Sequence, residues 1–415
     1  MASLAAADLP LSAPATRSTL AAIQRALIWL VGACGAVVLI EPSPYEIVTL
    51  AAIVFFFATG LRLQPVFVPL LFLLVVVNGG YTVCSALLLD RPEIVNWILT
   101  SWYLAATALF FAMTLSENTE SRLEALRRGL IAGAVITSLA GILGYFRVLP
   151  GMHDLFTLYG RARGAFKDPN VLAAFLILPA MFSLQTVMTA PFWKSVRSAI
   201  VLGIIGLAIL LAFSRASWGL LVGCSVSTLT LMYLTSPSPA QRLCIVAMAI
   251  AAIAAAALLV AVLLSLDSVA DLFKERATLT QSYDSGRFGR FGRHILGFQM
   301  ALDLPMGIGP LQFSKFFPED THNSFLNAFM SGGWISGIAL PALIVITVAM
   351  GCRLIFVRVP WQQTYLAIFS VFLGTVVESF IIDVDHWRHF WMMLGTMWAM
   401  FAAAHAYRGS SARSR

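Results

Sequence analysis

The residues best suited to chemistry lie where a polar loop meets an apolar segment. His322 stands at that junction, in Thr-His-Asn-Ser-Phe-Leu-Asn-Ala-Phe-Met-Ser-Gly-Gly-Trp over residues 321–334. An imidazole at a water–lipid boundary could serve as general base for one substrate arriving from lipid and another from water. His322, Leu326, Phe329 and Gly333 follow at i, i+4, i+7 and i+11, so they share one face of a helix. Gly333 and Gly337 give that segment small residues that permit close helix approach. A helix N-terminus disfavours imidazolium and favours a neutral, base-competent ring, while Glu319 and Asp320 push the other way. The plainer alternative is a histidine that is merely interfacial.

Arginines supply the second kind of chemistry. Arg287, Arg290 and Arg293 recur every three residues in Gly-Arg-Phe-Gly-Arg-Phe-Gly-Arg. On a helix they would span an arc and could converge on one anion, since guanidinium forks match phosphate oxygens in paired hydrogen bonds. A basic patch on anionic lipid head groups would have the same composition. Arg161 and Arg163 stand in Gly-Arg-Ala-Arg-Gly-Ala-Phe-Lys-Asp-Pro-Asn170, where Asp-Pro-Asn signals a turn and a helix start, with Asn170 the expected N-cap. Arg215, in Phe-Ser-Arg-Ala-Ser-Trp-Gly, has long apolar flanks. It lies either mid-membrane, at a cost of roughly 3 kcal/mol, or on a tight turn at the membrane face. Snorkelling at a helix end is its bland explanation.

A last cluster is Asp383-Val-Asp-His-Trp-Arg-His389. Asp383, Asp385, His386 and His389 could be imagined around a metal, but their spacing fits no standard zinc pattern. Salt bridges that seat Arg388 are the stronger expectation, and no metal or cofactor is expected.

The elements that must position these groups are membrane helices. The 415 residues are 59% hydrophobic and 11% charged, well below the roughly 25% charge of a soluble chain. Repeated apolar stretches near 20 residues give about twelve spans. They run roughly over 20–40, 46–62, 66–89, 94–115, 127–149, 170–190, 197–213, 215–235, 242–266, 323–350, 362–382 and 387–407. The organisation is therefore a tail over 1–19, nine spans over 20–266, a long loop over 267–322, three spans over 323–407 and a tail over 408–415. Both termini and the loops around Arg62, Arg122–Arg128, Lys194–Arg197, Arg242 and Arg353–Arg358 fall on one side. Those loops are basic and almost free of acids, so that side is expected to be cytoplasmic and His322 extracytoplasmic. The first apolar stretch has no clear cleavage site after it and is expected to be a retained span. The five cysteines lack metal-ligand spacing, and their odd number implies no disulfide framework. The basic charge is a topology signal, and nucleic-acid binding is not expected.

Within the long loop, Phe291, Ile295, Phe298 and Leu302 fall on one helical face and Arg290, Arg293, Gly297 and Ala301 on another. That pattern suits a helix lying in the membrane interface, apolar face down. Pro305, Gly307 and Gly309 then break it.

Four segments together resemble the O-antigen ligase/polymerase superfamily of bacterial envelope glycan transferases. They are Arg161–Asn170; Ser214-Arg215-Ala-Ser-Trp218; Gly289-Arg290 with Pro305-Met-Gly-Ile-Gly309; and His322-Asn323 with Leu326 and Gly333. The Asp385-His-Trp-Arg388 turn is similar to some branches, and Ser336 stands where the family usually has a second glycine. The likeness runs from about residue 160 to 395. It implies an all-α polytopic, GT-C-like integral-membrane glycosyltransferase of the bacterial inner membrane with its site facing the periplasm. The implied donor is an undecaprenyl-diphosphate-linked glycan. The implied acceptor is a hydroxyl of lipid A–core for a ligase, or a second lipid-linked glycan for a polymerase. His322 would be the base, and Arg215, Arg290, Arg161, Arg163, Arg287 and Arg293 the diphosphate ligands. Asn170, Asn323, Gly333, Asp385 and Arg388 would support them. Two rival readings are a transporter or lipid flippase, and a transferase whose base is Glu41 or Glu46 in the first outer loop.

Overall fold

The computed structural model describes residues 14–277 and 286–413. Parts of both expected tails and residues 278–285 of the long loop lie outside the described residues. In chain order the helices are α1 (Pro14–Cys34), α2 (Pro44–Ala58), α3 (Val68–Cys84), α4 (Pro92–Ser116), α5 (Thr119–Tyr145) and α6 (Met152–Phe156). A two-residue antiparallel ladder follows, β1 (Thr157–Leu158) with β2 (Arg161–Ala162). Then come α7 (Pro169–Thr189), α8 (Phe192–Leu211), α9 (Arg215–Thr235), α10 (Pro239–Leu264) and α11 (Asp267–Ala277). The last four are α12 (Arg290–Asp303), α13 (Ser324–Leu354), α14 (Gln362–Glu378) and α15 (Arg388–Arg413).

The chain is an all-α polytopic membrane protein. Among the described residues, eight helices are long and apolar enough to cross a membrane: α3 with the turn before it, α4, α5, α7, α8, α9, α10 and α13. The apolar part of α1 and all of α2 are shorter, and α14 has 17 residues. Helix α7 is the centre of the bundle, with nearly every residue from Leu172 to Leu184 buried. Helix α10, by contrast, is apolar all round and almost uncovered, as befits a span facing lipid.

Caps and turns fix where these helices begin. Asp168 precedes Pro169 and accepts from the N–H of Asn170 at 2.7 Å, so proline takes the first helical position, where its missing N–H is harmless. At α2 the Glu46 carboxylate reaches back to the Ser43 N–H, half of a capping box.

Contacts sort the loops onto two ends. At one end Arg91, before α4, donates to Gln312 at 3.1 Å, Val38 N donates to Ala165 O at 2.7 Å, and Glu46 pairs with Arg388. At the other, Arg122 donates to Gln24 at 2.8 Å and Arg127 to Thr186 at 2.9 Å. His322 belongs to the first end.

Helix α13 departs from the expected continuous face. Gly332 (φ −130°, ψ 15°) and Gly333 (φ 60°, ψ −162°) break it. The Pro305–Gly309 loop enters the break: Ile308 and Gly309 donate to Met330 O at 2.7 and 3.0 Å, and Trp334 N donates to Pro305 O at 2.8 Å. A Cβ on Gly333 would overlap the Pro305 carbonyl oxygen, and one on Gly307 would lie 2.5 Å from Met330 O. The glycines read as breakers and as a packing face are thus two halves of one junction. Gly333 therefore does not continue the His322 face of a regular helix. At Ser336 the hydroxyl donates to Val77 O of α3 at 2.7 Å, a cross-helix bond that glycine could not make.

Candidate functional site

His322 lies in a three-residue turn that one carboxylate holds from behind. Asp383, in the connection between α14 and α15, accepts from the His322 N–H at 2.9 Å through Oδ2. Its Oδ1 accepts from the Asn323 N–H at 2.8 Å, and the Thr321 hydroxyl donates to the same group at 2.9 Å. Asn323 then caps α13, accepting from Phe325 N and Leu326 N at 3.1 and 3.0 Å, and its amide donates to Phe380 O at 3.0 Å. Ser324 adds three stitches, its N–H to Ser379 O at 2.9 Å and its hydroxyl donating to Ile382 O at 3.3 Å while accepting from Val384 N at 2.7 Å. So held, His322 adopts φ 46°, the left-handed region in which a non-glycine residue is strained.

Helix α12 holds the turn from the other side. His294 donates through Nε2–H to Thr321 O at 2.9 Å, one residue before His322. Arg293, 2% exposed, pairs with Glu319 at 2.6 Å and donates to Phe288 O at 2.9 Å. The amphipathic helix expected over 291–302 is present, but its arginines do not converge. Arg293 is consumed by its buried pair. Arg287 precedes the helix, is exposed, and lies over the Phe288 ring at 5.7 Å. Arg290 opens the helix, and its charge, like that of Arg293, acts on His322.

Burial pushes the His322 ring below its ordinary value of 6.5, and Arg290 and Arg293 add to that, while Glu319 and Asp320 oppose it. The ring is therefore neutral at neutral pH, with a lone pair to offer. It makes no hydrogen bond with the described residues and is half-buried. Burial and the neighbouring Asp385 raise the Asp383 carboxyl, against the donors that favour its charged form.

The remaining sequence-assigned residues divide into two groups. Asp385 accepts from Asn327 at 2.8 Å and lies 3.4 Å from the His386 ring. Arg388 is seated by Glu46, as expected, and among the described residues no three histidines, cysteines or carboxylates cluster as metal ligands. The second group is built on α7, α8 and the 157–164 segment. Arg161 donates to Ala212 O at 2.7 Å and to Asn170 Oδ1 at 2.8 Å, tying the end of α8 to the start of α7. Asn170 is thus an acceptor for Arg161, not the helix cap, which is Asp168. Arg163 is half-buried and donates to the carbonyls of Leu155 and Asp154 at 3.3 and 3.4 Å. Arg215 opens α9 behind its cap Ser214, on a turn of three residues after α8, the tight-turn arrangement of the two expected.

Sequence reasoning missed Asp383 as the holder of the His322 turn, and it missed His294. No local signal marks either. A signal that was present but unread is Ser43-Pro-Tyr-Glu46, which announces the start of α2. Glu46, the rival catalytic base, is occupied by Arg388 and the Ser43 N–H, and Glu41 pairs with Lys167 at 2.6 Å. No protein-family model matches this chain, and no curated protein matches its sequence.

Proposed function

We infer that this protein is a GT-C-like membrane glycosyltransferase of about twelve spans. It transfers a glycan from an undecaprenyl-diphosphate carrier to a hydroxyl acceptor at the outer face of a bacterial inner membrane. The observation that carries the reading is the His322 ring: neutral, without a hydrogen bond, half-buried and beside Arg290. In the reaction, His322 takes the proton of the acceptor hydroxyl as its oxygen attacks the anomeric carbon. The bond from that carbon to the diphosphate oxygen breaks, and the electron pair leaves with the diphosphate. Displacement from the opposite side inverts the anomeric centre. Base assistance of this kind contributes roughly 10²–10⁴ in rate. Arg290 and Arg215 receive the leaving diphosphate, with the half-buried Arg163 and the exposed Arg287 drawing the anionic donor toward them. Arg161 and Arg293 act in this scheme by holding the backbone. With lipid A–core as acceptor this chemistry makes a ligase; with a second lipid-linked glycan it makes a polymerase, and the motifs are common to both.

The test is transfer from a lipid-linked glycan donor by purified protein in vesicles. His322→Ala and Arg215→Ala are expected to insert and fold but to lose transfer by about 100-fold or more. Normal transfer by both would sink the proposal. The lipopolysaccharide ladder of a deletion strain separates the branches. Loss of all long chains marks a ligase, and a single repeat on the core marks a polymerase.

A further inference from the structure

Helix α12 is inverted with respect to water. Phe291 (55%), Ile295 (63%) and Leu302 (70%) are exposed along one face, with Phe298 beside them. The opposite face, Arg293, His294, Gly297 and Ala301, is buried against the protein. A helix covering a soluble protein presents the reverse pattern. An apolar medium must therefore cover the outward face.

Its neighbour indicates which medium. Trp334 donates its indole N–H to Ala301 O at 2.9 Å, fixing the end of α12 against α13. Trp334, Ile335 and Ile338 of α13 are themselves exposed, on a helix long and apolar enough to cross a membrane. The apolar strip of α12 thus continues the lipid-facing surface of a span. Tryptophan with its indole N–H bonded is suited to the boundary between head groups and acyl chains. At the N-terminal end of the strip, Phe288 and Arg287 are exposed together, an apolar anchor beside a cation for an anionic head group.

We propose that α12 is seated in the lipid boundary at the His322 end of the bundle, and that this seat holds the His322 turn. The inner face of the same helix carries the grip: His294 on Thr321 O at 2.9 Å and Arg293 on Glu319 at 2.6 Å. Its C-terminal end leads directly into Pro305–Gly309, the loop lodged in the α13 break. Lipid against the outer face thereby fixes two attachments of the turn. The seat itself stands whether or not glycan transfer is the activity.

The experiment places a nitroxide at 295, 299 or 302 after replacing the five native cysteines with alanine. The protein is reconstituted in phosphatidylethanolamine–phosphatidylglycerol vesicles, and collisions with oxygen and with a water-soluble nickel chelate are measured. Positions 295 and 302 are expected to collide more with oxygen than with nickel, and 299 less so. Free access of nickel to 295 and 302 would overturn the seat in favour of water. Exclusion of both reagents would overturn it in favour of a protein partner. In vesicles, His294→Ala is expected to broaden the mobility of a label at 320; an unchanged spectrum there would overturn the grip while leaving the seat standing.

Discussion

Both oxygens of Asp383 face the backbone that carries His322: Oδ2 takes the His322 N–H at 2.9 Å and Oδ1 the Asn323 N–H at 2.8 Å. A carboxylate 61 residues away in sequence thus fixes the direction of the imidazole without touching it. Asparagine at 383 would offer one acceptor oxygen to three donors and bring an NH₂ against one of them. Asp383→Asn is expected to cost about 1–3 kcal/mol of stability. It is also expected to lower kcat about tenfold or more, with the donor KM little changed, because positioning fails and not binding. Thermal unfolding in detergent and steady-state transfer together check this; unchanged kcat in a destabilised protein would remove Asp383 from the positioning of His322.

On the proposed function, the acid limb of the pH–rate profile is expected to report His322. A base must be unprotonated, and burial together with Arg290 lowers this group below 6.5. Activity should therefore rise with pH through a value under 6.5 and be flat above it. Arg290→Gln removes one cause of the lowering, so the limb should move to higher pH as the rate falls. A pH–rate profile of both proteins decides; a limb that stays in place would mean that Arg290 does not act on the base.

Gly333 is required by its backbone and by its neighbour. Its φ of 60° with ψ of −162° belongs to a region essentially confined to glycine, and a Cβ would overlap Pro305 O. Gly333→Ala is expected to destabilise by about 1–3 kcal/mol or more. Amide exchange at Ile308, Gly309 and Trp334 should accelerate, since their hydrogen bonds close the junction. Gly337→Ala is no neutral control, because Phe329 lies over that glycine; Gly203→Ala, with open space at its Cβ, is.

Arg293 and Arg287 look alike in sequence and should behave differently. Arg293 uses two nitrogens on two partners, Glu319 and Phe288 O, while 2% exposed. Lysine cannot reproduce that fork, so Arg293→Lys is expected to lose about 1–3 kcal/mol. Arg287→Lys, at an exposed site, is expected to change stability by no more than about 0.5 kcal/mol. Chemical or thermal unfolding of the two variants side by side is the measurement.

Much of the architecture was legible because membrane helices are written locally. A span is a run of apolar residues, and α12 is a period of 3.6 between Phe291 and Leu302. Helix starts are local too: proline in the first helical position makes Asp168, one residue before it, the cap of α7. The place of His322 at the start of an apolar helix was also visible. The run Arg287–Arg290–Arg293 was legible as a helical arc, but one residue lies before the helix and another faces inward, so spacing alone misassigned their company.

The sequence by itself determined a helical membrane chain, an amphipathic pattern on α12, and a histidine at a loop–helix boundary. Tertiary structure alone decided that Asp383 holds the His322 turn, that Arg293 is spent on Glu319, and that the Pro305–Gly309 loop fills the break in α13. The reason is physical. Local patterns draw on neighbours a few residues away. A buried carboxylate, an ion pair or a broken helix is stable only when the partner that satisfies it arrives from a distant part of the chain, as Asp383 does for His322, Glu319 for Arg293 and Gly309 for Met330.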